Sequence, residues 1–249
     1  VCFLLRFILF REQSTGLPTP TESHTIKVKL MIMTPKISFI SCINDRETYE
    51  TCVTQSLKNS QKDFELVPIF NENGRYSAAS ALNEGARLSG GEILVFCHQD
   101  VEFSKNWTQK LMSSIEAIEG SNKRWGVLGL MGVQPNGFFA GHIYDPHTNE
   151  RYGSLPSKVS SVDELCIILK RSNFLPFDEG LKGFHLYGAD ISLQYLSKGF
   201  HTYAIDAPAV HRSGGKIDNS FNLASLKLTE KWSSKKSPRF IETTCKIIP

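Results

Sequence analysis

One stretch, residues 77–103, constrains what this chain can fold into more than any other part of the sequence. It reads SAASALNEGARLSGGEILVFCHQDVEF: a polar helix pattern, a Gly-Gly break, the apolar run Ile93–Cys97, and then His98-Gln99-Asp100. An apolar run that stops abruptly at polar residues is typical of an interior strand that ends at the edge of a sheet. Because open α/β sheets bind ligands beyond the carboxyl ends of their strands, we expect a binding site at His98 and Asp100.

Strand and helix patterns alternate through the first half of the chain. The predicted elements of this half are strand 36–43, helix 49–57, strand 64–70, helix 77–88, strand 93–97 and helix 104–118. The helices show apolar residues at intervals of three and four, whereas the first and third strands are continuous apolar runs. This alternation predicts a parallel, right-handed wound sheet flanked by helices.

The second half of the chain has a mixed pattern. Its predicted elements are strands 125–133 and 138–144, strand 162–170, helix 187–197, strand 200–205 and helix 219–232. The first two strands predict a hairpin, because Pro135-Asn136-Gly137 is strong turn chemistry between two apolar runs. We therefore predict an α/β fold in which an open, mostly parallel sheet is followed by a mixed half.

The sequence predicts three regions. Residues 1–33 are expected to be a disordered or non-native extension, because a Ser/Thr/Pro-rich stretch at 14–25 is followed by Met31 and Met33 just before the first strand. The apolar run at 1–10 is a poor signal peptide, since it is short, contains Arg6 and lacks a small-residue cleavage site. Residues 34–215 are expected to form the globular domain, with one half at 34–120 and the other at 121–215. A C-terminal helix and a basic tail are expected at 216–249.

Composition argues against several classes of protein. A hydrophobic content of 41% and a charged content of 21% are ordinary for a globular chain, and a net charge of +3 is too small to indicate nucleic-acid binding. No apolar run approaches the length of a membrane span. The six cysteines form no CxxC pair, which favours a reducing compartment, so we expect a cytoplasmic location.

Familiar nucleotide and hydrolase motifs are missing from the sequence. The first predicted strand is followed by Asn44-Asp45 rather than by a Gly-rich turn, which argues against a dinucleotide-binding fold. Neither GxxxxGKS/T nor GxSxG occurs, so P-loop chemistry and the hydrolase elbow have no support. A zinc site at His142 and His147 is disfavoured, because Pro146 prevents the helix that would align them.

Polar residues lie at the ends of the predicted strands, where a sheet would bring them to one edge. These residues are Asn44, Asp45, Asn71, His98, Asp100, Asp163, Glu164 and His211. A carboxylate with an imidazole, as in Asp100 and His211, suits Mn²⁺ or Mg²⁺ and leaves positions for phosphate oxygens. Asp190, early in a predicted helix, is either a general base or a plain acid at a helix N-terminus.

Four segments, taken in order, are similar to one known family. They are ISFISCIND, ALNEGARLSGGEILVFCHQDVEF, VDELCIILKRSNF and FDEGLKGFHLYGADISLQYLSKGF, and His211 follows them. Together they resemble the family 2 glycosyltransferases of GT-A fold, in the bacterial and archaeal branch that carries HQD where other members carry DxD. The resemblance extends over residues 36–214. It departs from the family at His98, in the first position of DxD, and at Ala189, where many relatives have glutamate.

The resemblance implies a role for each candidate residue. The implied nucleotide-binding residues are Asn44, Asp45, Asn71, Asn83, Arg87 and Gln99. The implied cation ligands are Asp100, His211 and His98, and the residues implied to border the donor sugar and the acceptor are Asp163, Glu164, His185 and Tyr187. Asp190 would be the catalytic base.

The resemblance also implies a reaction. It implies an inverting transferase that moves a sugar from a UDP-, GDP- or dTDP-linked donor to a hydroxyl of a saccharide or lipid-linked acceptor, with Mn²⁺ or Mg²⁺. Such an enzyme would be cytoplasmic or peripheral to the inner face of the membrane, and would act in polysaccharide assembly. Two alternatives stay open: a non-catalytic sugar-nucleotide binder or scaffold, and a sugar-nucleotide nucleotidyltransferase. The second would need a Gly-rich loop after the first strand, which this chain lacks.

Overall fold

The computed structural model describes residues 37–58, 63–121, 124–214, 219–233, 241–245 and 247–248. The extension predicted at residues 1–33 lies outside the described residues, as does the first part of the predicted basic tail, residues 234–240. None of the helices in the described ranges is both long and apolar enough to cross a membrane.

A seven-stranded sheet forms the centre of the described chain. From one edge to the other its strands are β2 (Phe64–Phe70), β1 (Ile37–Ile43), β3 (Ile93–Cys97), β11 (Cys166–Lys170), β5 (Trp125–Gly129), β12 (His201–Ala204) and β9 (Ser157–Lys158). Strand β1 is parallel to both β2 and β3, and β5 is parallel to β12, whereas β11 runs antiparallel between β3 and β5. The predicted mostly parallel sheet with a mixed second half is therefore confirmed.

Helices cover both faces of this sheet. On one face lie α4 (Trp107–Gly120) and a helix that consists of α1 (Arg46–Tyr49), a π-helical segment (Glu50–Thr54) and α2 (Gln55–Leu57). On the other face lie α3 (Ala78–Leu88) and α5 (Tyr187–Ser197). Alternate residues of β3 point to opposite faces, so Val95 packs in the cluster of α4 and Phe96 in the cluster of α3. Both faces of β3 are buried, which explains why the strand is apolar at every position.

Helix α3 lies very close to β1. A Cβ atom added at Gly85 would come within 2.2 Å of Ile40 Cγ2, so the absence of a side chain at Gly85 permits this approach. Ser77 caps the amino end of the helix, and its side chain accepts a hydrogen bond from the amide of Ser80. At the other end, the guanidinium of Arg171 donates to backbone oxygens in and just beyond the last turn. These contacts fix α3 on this face of the sheet.

Two predicted strands are divided in the structure. The strand predicted at 162–170 becomes β10 (Ser161–Val162) and β11, because the carboxylate of Asp163 accepts a hydrogen bond from the amide of Leu165 and turns the chain. The strand predicted at 125–133 becomes β5 and β6 (Met131–Val133), which belong to different sheets. Both predictions of a continuous strand were wrong. At 125–133 the chain stays apolar as it passes from one sheet to the other, whereas at 162–170 the polar pair Asp163-Glu164 marks the break.

A smaller, four-stranded sheet stands beside the central one. Its strands are, in order, β10, β6, β7 (Phe139–His142) and β8 (Arg151–Tyr152). Strands β6 and β7 pair antiparallel, which confirms the hairpin predicted around Pro135-Asn136-Gly137. A last short pair consists of β14 (Ile241–Glu242) and β15 (Ile247–Ile248).

One further strand pair and the last long helix position the site. Strand β4 (Val101–Phe103) pairs antiparallel with β13 (Ala209–His211), and His211 stands opposite Val101. This pairing brings His211 to the carboxyl end of β3. Helix α6 (Asn219–Ser233) packs against α5 through an apolar cluster that includes Leu193 and Leu228.

Candidate active site

Three potential cation ligands meet at the carboxyl end of β3. The side chains of His98, Asp100 and His211 offer ligand atoms that all lie within 4.8 Å of one another. His211 Nε2 lies 3.3 Å from His98 Nδ1 and 3.4 Å from the Asp100 carboxylate. Two imidazole nitrogens and one carboxylate oxygen form a donor set that is compatible with first-row divalent cations. The fold thus brings together the three residues that the sequence analysis proposed as ligands; we call them the cation group.

Burial and mutual contacts shift the proton affinities of the cation group. Burial, together with the neighbouring His211, lowers the pKa of His98 to about 4, so its imidazole is neutral at physiological pH. Burial alone would raise the pKa of Asp100, but hydrogen bonds from His211 and Ser213 outweigh it and hold the pKa well below its usual range. Burial alone would lower the pKa of His211, but its hydrogen bond with Asp100 raises the pKa above its ordinary value. The group therefore presents a firmly ionised carboxylate beside a neutral imidazole.

Two further residues hold the cation group in place. Tyr187, in the first turn of α5, has its Oη 2.9 Å from His98 Nε2. The amide of Ser213 donates to Asp100 Oδ2 at 3.1 Å. Outer contacts of this kind commonly orient the ligands of a metal ion. Ser213 was not predicted from the sequence, although its position two residues after His211 could have indicated it, because alternate residues of an extended chain face the same side.

A cavity of about 400 Å³ lies beside the cation group. Its volume is within the range of small-molecule sites in proteins. The predicted site residues that line it are Asn44, Asn71, His98, Gln99, Asp100 and Tyr187. One cavity thus joins part of the predicted nucleotide site to the cation group.

Gln99 connects the ends of β1 and β3 at the cavity wall. Its Oε1 accepts hydrogen bonds from the backbone amides of Asn44 and Asp45, at 2.9 and 3.0 Å, and its Nε2 donates to Asn44 Oδ1 at 2.6 Å. Asp45 is exposed and caps α1, since its carboxylate accepts hydrogen bonds from the hydroxyl and the amide of Thr48, which lower its pKa. Gln99 and Asn44 therefore shape the cavity, whereas Asp45 begins the adjacent helix and is not among the lining residues.

The other predicted nucleotide-binding residues make contacts within the protein. Asn71 lines the cavity, but its side-chain amide is bonded to both backbone groups of the residue five positions further on. Asn83 binds the backbone N–H and C=O of Phe177 and so fixes the loop that precedes α5. Arg87 is exposed and pairs with Glu84 at 2.6 Å. Neither Asn83 nor Arg87 is among the cavity-lining residues, and their predicted role stays a prediction.

The segment between β10 and β11 carries two predicted site residues, Asp163 and Glu164, neither of which lines the cavity. The charge of Asp163 is close enough to act on both histidines of the group, and its Oδ2 accepts a hydrogen bond from Thr244 Oγ1 at 2.6 Å. Glu164 lies at the amino end of α5, where it accepts a hydrogen bond from the amide of Gly188 at 3.3 Å. Burial, and next the charge of Asp163, raise the pKa of Glu164 to about 8. No local pattern in the C-terminal segment indicated the contact made by Thr244.

Asp190, the predicted base, faces away from the cavity. It is 1% exposed and is not among the cavity-lining residues. Its Oδ1 accepts hydrogen bonds from Trp232 Nε1 at 2.8 Å and Lys231 Nζ at 2.7 Å, and its Oδ2 accepts one from Gln194 Nε2 at 2.8 Å. These are the contacts of a buried ion pair that joins α5 to α6. The catalytic role of Asp190 stays a prediction.

The loop before α5 contributes one predicted and one unpredicted residue. His185 has its ring edge-on to Phe221 of α6, with ring centroids 5.6 Å apart. Phe184 is 51% exposed and lines the cavity. Phe184 was not predicted from the sequence, although an aromatic residue within a Gly-rich turn could have indicated it. An exposed ring at a cavity offers a flat apolar surface to a ligand.

The zinc site that the sequence disfavours does not form. His142 Nδ1 lies 2.9 Å from Asp206, whereas His147 Nε2 lies 3.0 Å from the carbonyl oxygen of Gly214. The two histidines therefore have separate partners. Within the ranges that the structure describes, the cation group is the one set of three or more potential ligands that converge.

The fold and the site together define a class: an α/β protein whose parallel strands end at a cavity that carries a cation group. Residues 38–216 match the model of a family described as "Glycosyltransferase like family". This match covers most of the chain, so the chain belongs to this family.

A curated relative from Fuscovulum blasticum is described as "ATP synthase subunits region ORF 6". It is 32% identical over 149 residues, an alignment that covers 57% of this chain and 60% of the relative. The chain thus spans about three fifths of the length of the curated relative that it matches.

Solved structures share the fold. GalNAc-T7 with UDP, GalNAc and Mn²⁺ aligns with a TM-score of 0.59 and 14% identity, over 82% of this chain and 49% of that chain. TarS 1–349 of S. aureus aligns with a TM-score of 0.52 and 14% identity, over 79% of this chain and 65% of that chain. The same protein with UDP-GlcNAc gives a TM-score of 0.51 at 13% identity, over 79% and 66% of the two chains. These similarities concern the fold and confirm the predicted GT-A architecture.

Proposed function

We propose that this chain is a cation-dependent, inverting glycosyltransferase. It would transfer a sugar from a UDP-, GDP- or dTDP-linked donor to a hydroxyl of a saccharide or lipid-linked acceptor. The observation that carries the proposal is the cation group at the carboxyl end of β3, of which His98 and Asp100 line the cavity. This is the position at which open α/β sheets bind their ligands. Membership of the glycosyltransferase-like family supports it, as does a fold shared with proteins solved with UDP and UDP-GlcNAc.

The nucleotide and the diphosphate of the donor would occupy two different parts of the cavity. Asn44, Asn71 and Gln99 line the part that would take the nucleotide, just beyond the carboxyl ends of β1, β2 and β3. The cation group would lie against the diphosphate, since a divalent cation held by protein ligands commonly keeps positions for phosphate oxygens. The donor sugar would then lie toward Tyr187 and the Asp163-Glu164 segment.

The reaction is a single in-line displacement. A divalent cation bound at this site would neutralise the charge that grows on the departing diphosphate. The acceptor oxygen bonds to the anomeric carbon as the bond from that carbon to the diphosphate oxygen breaks, and the acceptor proton passes to a carboxylate. The anomeric centre inverts, because the acceptor attacks the face opposite the nucleotide.

The carboxylate that takes the proton belongs either to Asp190 or to the Asp163-Glu164 pair. Asp190 is the residue expected from the sequence, but its oxygens are bonded to Lys231 and other donors of the protein. Asp163 is close enough for its charge to act on both histidines of the cation group, and the pKa of the adjacent Glu164, about 8, leaves a fraction of this carboxyl ionised at physiological pH to accept a proton. Neither residue lines the cavity. We favour the Asp163-Glu164 pair as the source of the base, with Asp190 as the competing assignment.

Three substitutions separate these assignments. If the pair supplies the base, Glu164→Gln or Asp163→Asn should lower kcat by about 100-fold or more while UDP binding is retained. Asp190→Asn should then lower the stability of the fold, and the folded fraction of this variant should retain its kcat. Steady-state kinetics and UDP titrations on protein of known folded fraction make the comparison. A folded Asp190→Asn variant that binds UDP normally but does not turn over would return the base to Asp190.

Thermal-shift screening tests the proposed function itself. UDP-, GDP- and dTDP-linked sugars are added with and without Mn²⁺. A ligand at 100 times its Kd stabilises the folded protein by about 2.7 kcal/mol. The cognate donor should therefore raise Tm by roughly 5 °C or more. Asp100→Asn should abolish the shift that depends on Mn²⁺. Asp206→Asn is the matched control, because this carboxylate also contacts a histidine but does not line the cavity. No shift with any donor would contradict the proposal.

A non-catalytic sugar-nucleotide binder is the second candidate. It is favoured by the engagement of Asp190 in contacts with α6, and by Gly188 and Ala189, which offer no other acid in that turn. Such a protein would show the donor-dependent thermal shift without transfer to any acceptor. No observation favours a nucleotidyltransferase, since β1 is followed by Asn44-Asp45 and not by a Gly-rich loop.

We also propose that the protein acts in the cytoplasm, at or near the inner face of the membrane. Leu223 and Leu226 of α6 are 62% and 69% exposed, and α6 contacts the loop that carries Phe184. Exposed apolar residues on one helix suit contact with a lipid surface or with an acceptor that is linked to a lipid. Flotation with vesicles of anionic phospholipid checks this; Leu223→Ser with Leu226→Ser should release the protein if the surface makes the contact.

A further inference from the structure

We propose that Tyr187 is a positioning residue for the cation: its hydroxyl accepts a hydrogen bond from His98 Nε2–H, so that His98 Nδ1 keeps its lone pair for the cation. This inference rests on the proposed cation site. It goes beyond that site by naming the contact that makes His98 a ligand.

The two ring nitrogens of His98 have different neighbours. Nδ1 lies 3.3 Å from His211 Nε2, inside the cation group, whereas Nε2 lies 2.9 Å from Tyr187 Oη. A neutral imidazole carries one proton, on one nitrogen or the other. A cation can bind Nδ1 only when the proton is on Nε2, so ligation is favoured by a hydrogen-bond acceptor next to Nε2.

Tyr187 can be that acceptor because its own proton has another partner. Its Oη donates to the backbone oxygen of Glu164 at 3.4 Å, which leaves a lone pair of Oη for His98 Nε2–H. Every donor in this chain of hydrogen bonds then faces an acceptor. In the other tautomer, Nδ1–H would point into the cation group, and the hydroxyl would have to donate to Nε2 and give up the Glu164 oxygen.

The surroundings of Tyr187 keep this hydroxyl in place. Tyr187 is 6% exposed, and its ring packs against Phe177 with ring centroids 5.9 Å apart. The backbone amide of His98 donates to the Leu165 oxygen at 3.0 Å, which is a second connection between the end of β3 and the segment after β10. The same chain of hydrogen bonds therefore links the orientation of His98 to the segment that carries Asp163 and Glu164.

Two single substitutions on one helix isolate the hydroxyl. Tyr187→Phe keeps the ring and its packing, and removes the hydroxyl. Tyr195→Phe is the matched control, because Tyr195 is fully buried in the same helix and its hydroxyl binds the backbone oxygen of Asn173 at 2.8 Å, outside the cavity. Binding of Mn²⁺ to the full chain, without any substrate, is measured from the electron paramagnetic resonance signal of the free ion. We expect Tyr187→Phe to weaken binding by about 10- to 100-fold, and Tyr195→Phe to leave it unchanged.

Two further measurements distinguish tautomer control from general loosening of the site. Nitrogen-15 NMR of histidine-labelled protein without metal should show the His98 proton on Nε2 in the wild type and in Tyr195→Phe, and a shift toward Nδ1 in Tyr187→Phe. In a His98→Asp background, Tyr187→Phe should no longer affect the Mn²⁺ affinity, because a carboxylate has no tautomer to fix. A packing defect would persist in that background.

The outcomes separate this inference from the proposed function. Equal Mn²⁺ affinities of the wild type and Tyr187→Phe, or a loss that persists in the His98→Asp background, would overturn the inference and leave the proposed transferase intact. Failure of the wild type to bind Mn²⁺ would overturn both. Normal Mn²⁺ binding with the expected effect of Tyr187→Phe, but no sugar transfer, would overturn the proposed function alone.

Discussion

His98 differs from the aspartate of a DxD motif in charge and in the cations that it favours. A neutral imidazole nitrogen favours first-row transition ions, whereas carboxylate oxygens favour Mg²⁺. Burial keeps this imidazole neutral by lowering its pKa to about 4. The cation group, with two imidazoles and one carboxylate, should therefore bind Mn²⁺ in preference to Mg²⁺.

We expect His98→Asp to shift this preference toward Mg²⁺. The substitution adds a negative charge and a hard oxygen ligand, so the ratio of the Mg²⁺ affinity to the Mn²⁺ affinity should rise about tenfold, or about 1.4 kcal/mol. Competition titrations of the two ions measure the ratio. His147→Asp is the control, because His147 is exposed and contacts Gly214 outside the cation group. An unchanged ratio would show that His98 is not a ligand.

Glu164 should make the stability of the fold depend on pH. Its pKa in the folded state, about 8, lies above the ordinary value of 4.5, so the folded chain holds a proton that the unfolded chain has released between these values. The free energy of unfolding should therefore fall as pH rises through this window, by more than about 1 kcal/mol. Urea denaturation at pH 5 to 8 measures the fall. Glu164→Gln should flatten this part of the profile; a wild-type slope retained in the variant would contradict the prediction.

At the scale of elements, prediction succeeded where the pattern is local. Strand β3 and helix α5 have the predicted bounds, because burial on both faces makes β3 wholly apolar and because α5 ends just before Gly199, which has a positive φ. Prediction failed for the strand at 162–170, where Asp163 turns the chain between two sheets. Strands β10 and β11 belong to different sheets, but Val162 and Ile167 pack in the same apolar cluster, so hydrophobicity alone does not reveal the break.

The contact between α3 and β1 gives a test at this scale. We expect Gly85→Ala to lower the free energy of unfolding by about 1–3 kcal/mol, because its Cβ would come within 2.2 Å of Ile40 Cγ2 and overpack the contact. Gly120→Ala, at the end of α4, is the control, since nothing lies within 4 Å of its Cβ and alanine is a better helix former. Urea denaturation measures both; equal stabilities would mean that α3 can move away from β1 without cost.

At the scale of the whole molecule, Asp190 connects the last long helix to the rest of the domain. Its carboxylate lies between α5 and α6, among apolar residues of both helices, and is bonded to Lys231 and Trp232. A buried carboxylate needs such partners, because an unpaired charge in an apolar interior is very costly. The ion pair therefore holds α6 in one position on α5.

Replacement of Lys231, the positively charged member of this ion pair, tests how much the pair stabilises the fold. We expect Lys231→Gln to lower the free energy of unfolding by about 2–3 kcal/mol, somewhat less than the full cost of breaking a buried pair, because Trp232 still donates to Asp190. Lys170→Gln is the control: its partner Glu119 is more exposed, so the loss should stay below about 1 kcal/mol. Chemical denaturation compares the two variants. Equal losses would show that the α5–α6 pair is no stronger than a surface contact.

The sequence by itself determined the central sheet, the helices that cover it, and the polar triplet at the end of β3, because periodicity and burial leave a local record along the chain. The tertiary structure alone decided three other things. It placed β11 antiparallel between β3 and β5, it turned Asp190 toward α6 rather than toward the cavity, and it set Tyr187 against His98. Each of these contacts joins residues that are far apart in the chain. Such contacts depend on how the elements pack in three dimensions, and no local pattern of side chains encodes them.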